Sequence, residues 1–137
     1  LSCYGECLQI GEYMLMCPPY SQWPDEVWVV PKDRDKTFGE IEYNQIDSLA
    51  YVLKRLITIF DIRHEGNFPF NFFIAPQKDW YLRILSRAKI IGGFEVSTGI
   101  YVNTADPIET VKFLKQHFYE ADIEKIKANK AEYRRGV

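Results

Sequence analysis

A chain of 137 residues, 47% hydrophobic and 15% aromatic, is long enough to bury one core and too short for two ordinary domains. Its net charge of −2, with acids and bases interspersed, offers no field to hold nucleic acid or an anionic membrane surface. No apolar run approaches the ~20 residues that span a bilayer. Cys3, Cys7 and Cys17 cannot all pair, and Cys3 and Cys7 lack the two-residue spacer of a zinc knuckle or redox motif, so a reducing, cytoplasmic setting is expected.

The chain opens at Leu1 rather than at methionine and reads as a domain cut from a longer protein. Residues 7–17 predict two short strands around Gly11-Glu12, where glycine supplies the turn. A third strand is expected over 26–30, ending before Pro31, which has no N–H to give a sheet. The polar run 32–36 is a loop. Asn44, with Asp47 three residues on, reads as an N-cap. Ile46, Leu49, Leu53, Leu56, Ile57 and Phe60 then recur at helical spacing, predicting about four turns with one face on the sheet. Gly66 and Pro69 close that helix, and 71–75 and 80–85 predict a central hairpin around the turn 76–79. Asp106, Pro107 and Glu109 supply a cap, a first-position proline and an acid three residues after the cap, launching a helix to about Phe118. Asp122 is expected to cap a last helix over about 121–135. The order predicts an α+β domain, with helices mainly on one face of the sheet.

Few residues in this pattern suit catalysis. His64 falls in a polar loop and His117 near a helix end where a cation is favoured, so structural or solvent roles are expected for both. Asp79 reads as a turn residue whose carboxylate takes nearby backbone amides. Tyr43, Tyr51, Trp80 and Tyr101 read as core and rim aromatics, with nucleobase stacking as the alternative. Gly92-Gly93-Phe94-Glu95 carries two readings. Paired glycines let peptide N–H groups converge on a phosphate while Glu95 accepts from sugar hydroxyls; alternatively the segment is a β-bulge with Glu95 in solvent.

The ungapped run from Asp79-Trp80-Tyr81-Leu82-Arg83 through Gly92-Gly93-Phe94-Glu95-Val96-Ser97-Thr98-Gly99 resembles the C-terminal histidine-triad-like half of the galactose-1-phosphate uridylyltransferase family, including its ADP-glucose phosphorylase-like branch. Cys17-Pro18-Pro19-Tyr20-Ser21-Gln22-Trp23-Pro24-Asp25-Glu26-Val27-Trp28-Val29-Val30-Pro31-Lys32 and Pro69-Phe70-Asn71-Phe72-Phe73-Ile74-Ala75 extend the resemblance, which covers about residues 6–118. It implies a histidine-triad-like antiparallel sheet and one half of a hexose-1-phosphate nucleotidylyltransferase. Substrate contacts are implied at Lys89, Gly92, Gly93, Phe94, Glu95, Thr98 and Gly99, with Ser97 replacing the first glycine of a Gly-Thr-Gly run. The family's His-Trp-His positions hold Asp79 and Tyr81 here, and no His-Pro-His occurs, so no catalytic residue, metal or cofactor is expected in this chain. The implied partners are a nucleoside diphosphate sugar or hexose 1-phosphate, bound weakly, and the N-terminal half of a parent protein or a second copy. The alternative is a non-catalytic dimerisation or protein-interaction module on the same fold.

Overall fold

The computed structural model describes residues 6–120; Cys3 and the helix expected over 121–135 lie outside the described residues. Strands β1 (Cys7–Ile10) and β2 (Tyr13–Met16) form the expected hairpin, with Ile10 opposite Tyr13 and Gly11 at φ 52° in the intervening turn. Strand β3 runs Val27–Pro31, one residue past the expected stop. Pro31 lies opposite Tyr13, while the next strand reaches only Val29 on the other side, so the missing N–H deprives no neighbour of a bond.

Helix α1 spans Tyr43–Arg63, longer than the four turns expected. Its N-cap is Glu42, not Asn44. The Glu42 N–H donates to Gln45 Oε1 at 2.9 Å, and the Tyr13 hydroxyl holds the Gln45 carbonyl at 2.7 Å, so the first turn closes two residues early. The buried stripe is Leu49, Val52, Leu56, Ile59 and Phe60, with Ile46 exposed. Two overlapping three-and-four patterns share Leu49, Leu56 and Phe60, and the sheet selects the one containing Val52 and Ile59.

Strands β4 (Phe70–Ile74) and β5 (Leu82–Ser86) complete a five-stranded antiparallel sheet of order β1-β2-β3-β5-β4. The expected central hairpin is thus corrected: β5 is internal and β4 is the edge. Trp80 and Tyr81 precede β5, because the Asp79 and Trp80 N–H groups go to the Lys36 carbonyl and not to a neighbouring strand. Leu82, Ile84 and Ser86 are buried, whereas Asn71, Phe72 and Phe73 of the edge are exposed. Helix α3, Pro107–His117, starts as the sequence predicts, with Asp106 Oδ1 accepting the Ile108 N–H at 2.9 Å.

Leu15, Val27, Val29, Leu82 and Ile84 from the sheet, Val52, Leu56 and Phe60 from α1, and Val111 and Leu114 from α3 make one core with Trp80. Arg55 ties the helices together by donating to the carbonyls of Phe118 (2.6 Å) and His117 (3.3 Å) at the end of α3. The opposite sheet face sets Trp28, Arg83 and Phe73 in one row across β3, β5 and β4.

Candidate functional site

Beyond β5, the glycine-rich segment is neither a bend from a strand nor a β-bulge; it is a short helix, α2 (Gly93–Thr98). Glu95 causes this. Its carboxylate turns back to accept the Gly92 N–H at 3.1 Å, while the Val96 and Gly99 N–H groups reach Gly92 and Glu95 carbonyls four residues earlier. Gly99, at φ 70°, ends the helix in the left-handed conformation. A Cβ on Gly92 would sit 3.0 Å from Glu95 Oε2, whereas one on Gly93 would meet nothing within 4 Å. A side chain at Gly92 would therefore crowd the returning carboxylate, and Gly93 leaves open space above the first turn.

Lys89 Nζ lies 3.1 Å from Glu95 Oε1 and also donates to the Val102 carbonyl. Glu95 is buried, so the alternative that placed it in solvent is corrected. Hydrogen bonding at its own backbone N–H, then from Lys89 and from Gly92, outweighs desolvation and holds its carboxyl below the ordinary value. The fold brings Lys89 and Gly92 together on the two oxygens of Glu95. Phe94 and Thr98 are exposed on α2, where the Thr98 hydroxyl is bonded to the Phe94 carbonyl at 2.7 Å.

A second loop buttresses this segment. Asn103 Nδ2 donates to the Ser21 carbonyl at 3.0 Å, Trp23 packs on Tyr101 with centroids 5.7 Å apart, and the Arg87 guanidinium covers Trp23. Of the other aromatics, Trp80 is core, and Tyr43 and Tyr51 are exposed.

The loop ends in a buried polar knot not anticipated from sequence. Asp25, at φ 52°, accepts from Thr110 Oγ1 at 2.9 Å on one oxygen. Its other oxygen meets His64 Nε2 at 2.8 Å and Arg63 Nε at 3.3 Å. Burial alone would raise the Asp25 carboxyl; the His64 bond, the Arg63 charge and the Thr110 hydroxyl together bring it below the ordinary value. His64 is thus the C-cap of α1 and a partner in this knot, not a residue of a polar loop. His117 is fully buried on α3, with Nδ1 3.0 Å from Glu120 Oε2.

The positions where the resemblance implies metal ligands do not suit a metal. The Asp79 carboxylate accepts the Asp35 N–H at 2.7 Å and pairs with Arg34 at 3.1 Å, so it ties its turn to the distant 34–35 loop and does not cap amides of its own turn, and the Tyr81 ring stacks on Trp28. Among the described residues no three His, Cys, Asp or Glu side chains gather to hold a metal, and no helix is long and apolar enough to cross a membrane.

An antiparallel five-stranded sheet with helices on one face, followed by a glycine-bounded helical turn, is the histidine-triad-like α+β class. No family model matches the chain. It is 24% identical over 117 residues to ADP-glucose phosphorylase of Arabidopsis thaliana, and 33% identical over 71 residues to galactose-1-phosphate uridylyltransferase of Haemophilus influenzae. These alignments take in 77% and 50% of this chain but 33% and 20% of the relatives, so the chain spans a third or less of their length. The crystal structure of the Arabidopsis thaliana ADP-glucose phosphorylase with bound ADP-glucose superposes with TM-score 0.67 at 24% identity, over 74% of this chain and 36% of that one. A solved uridylyltransferase gives TM-score 0.67 at 19% identity, over 91% and 40%. The chain is similar in sequence to galactose-1-phosphate uridylyltransferase and ADP-glucose phosphorylase and shares the histidine-triad-like fold of their solved structures.

Proposed function

We propose that this domain is the sugar-phosphate-binding half of a hexose-1-phosphate nucleotidylyltransferase-like protein, with Lys89, Gly92, Gly93, Phe94, Glu95, Thr98 and Gly99 forming its contact surface. The observation that carries this is the Lys89–Glu95 pair, a cation and a carboxylate 3.1 Å apart at the open first turn of α2. The ADP-glucose bound by the Arabidopsis relative indicates the ligand class. A sugar phosphate would draw Lys89 toward its phosphoryl oxygens and leave Glu95 oxygens for hydroxyls, while the space over Gly93 admits the ligand to the backbone. Exchanging existing partners in this way predicts weak binding, on the order of −4 kcal/mol or a millimolar Kd. The nucleophile of any transfer belongs to a partner half, because His64 and His117 are held in structural contacts.

Amide NMR titration of the chain with ADP-glucose and with glucose 1-phosphate tests this. Resonances of residues 89–99 should move and saturate. Gly93→Ala should leave the melting temperature intact, since its Cβ meets nothing in the fold, yet obstruct the ligand. Unmoved amides with both ligands would refute the assignment.

A second reading, a non-catalytic dimerisation or interaction module, is favoured by one observation: Ile90, Phe94, Val96, Ile100 and Val102 are all exposed within one segment. Such an apolar stretch marks contact with protein.

A further inference from the structure

The sheet face opposite the helices carries a polar feature outside the α2 surface. Glu26, the residue before β3, is only 3% exposed. Its Oε1 accepts the Trp28 indole N–H at 2.8 Å and lies 2.7 Å from Arg83 Nε. Its Oε2 is buried with no donor, and the Arg83 Nε–H is not aligned on its short ion contact. A buried carboxylate oxygen without a partner is costly, and its presence calls for a group that completes it. Glu26, Trp28 and Arg83 line a cleft of about 210 Å³ with Gln22 and the well-exposed Tyr20. Trp28 is stiffened by Tyr81 stacked on its face, the rings 4.4 Å apart and 3° from parallel, and by the Arg83 guanidinium over its ring.

We propose that this cleft binds a neutral ring whose edge carries a hydrogen-bond donor next to an acceptor, the donor answering Glu26 and the acceptor Arg83. Neutrality follows from the pair itself: carboxylate and guanidinium cancel, so an ion gains little from either. One ring follows from size, since the cleft is smaller than the ~300–1,000 Å³ of drug-sized sites. The ring face has aromatic surface to rest on at the well-exposed Tyr20. Arg83, held by an ion contact and not a directed hydrogen bond, is the side chain that shifts to admit the donor to Oε2. A pyranose with vicinal hydroxyls and a nucleobase both present this edge.

The test follows the Trp28 indole N–H resonance of the whole chain during titration with methyl α-glucoside and methyl α-galactoside in one arm, and with adenosine and uridine in the other. None of these probes carries phosphate, so a failure at the α2 surface would not affect the outcome. One arm should shift the indole signal saturably and identify the ring class. Glu26→Gln should weaken binding about tenfold, the loss of one hydrogen bond to a charged group. Tyr20→Ala, an exposed change that spares the fold, should also weaken it, and keeps the test valid if Glu26→Gln melts early. An indole signal unmoved in both arms would overturn the proposal, as would wild-type affinity in Tyr20→Ala together with Glu26→Gln.

Discussion

Asp25 sits where three separate parts of the chain meet, and its carboxylate answers both Arg63 and His64 there. Asp25→Ala removes a buried carboxylate from the partly exposed Arg63 and His64, at a cost of about 2 kcal/mol, readable by denaturant unfolding. Its native carboxyl ionises below the ordinary value, whereas the unfolded one titrates near ~3.9. This stabilisation is therefore complete above the unfolded value and is lost as pH falls through the native one. The unfolding midpoint should drop below about pH 4, and Asp25→Asn should flatten that drop; an unchanged acid limb in Asp25→Asn would contradict the assignment. Asp106 was legible in the sequence because the amide it caps lies two residues on. Asp25 was not, because Thr110 lies 85 positions away and no local pattern announces such a bond.

Among the elements, α2 is specified at both ends by glycines acting for different reasons. Gly99 holds a positive φ with nothing near its absent Cβ, so Gly99→Ala should cost about 1 kcal/mol through backbone conformation alone. Gly93→Ala should cost nothing and stabilise slightly, because alanine favours a helix; a clear loss of melting temperature in Gly93→Ala would show that the space above it is not free. The helix was hidden in the sequence by its two glycines, which read as a phosphate cradle or a β-bulge, whereas the Glu95 return to Gly92 is what stabilises it. The hydrophobic spacing of α1 was plain, but its exact stripe was not, since two patterns shared three residues and packing chose between them. The strands of the β1–β2 hairpin were legible because Gly11 falls at the one place that needs a positive φ.

At the scale of the molecule, the sheet finishes on β4, a short uncharged run of Phe70, Asn71, Phe72, Phe73 and Ile74 with an exposed outer side. Charges, bulges or covering loops usually protect such an edge. Self-association of the isolated chain is the expected outcome, and sedimentation should find a dimer that Phe72→Glu shifts toward monomer; a monomer at high concentration would exclude it.

The strand order has a kinetic consequence. β1, β2 and β3 adjoin in sequence, as do β4 and β5, but β3 meets β5 with Val29 opposite Leu82, residues separated by all of α1 and the β4 hairpin arm. Closing that loop loses entropy before any contact across it forms, so the two local units should assemble first and their docking should set the rate. Truncating Val27 or Ile84 at this seam, where the two face each other, is then expected to slow refolding, while equal losses at the Ile10–Tyr13 hairpin end act mainly on stability.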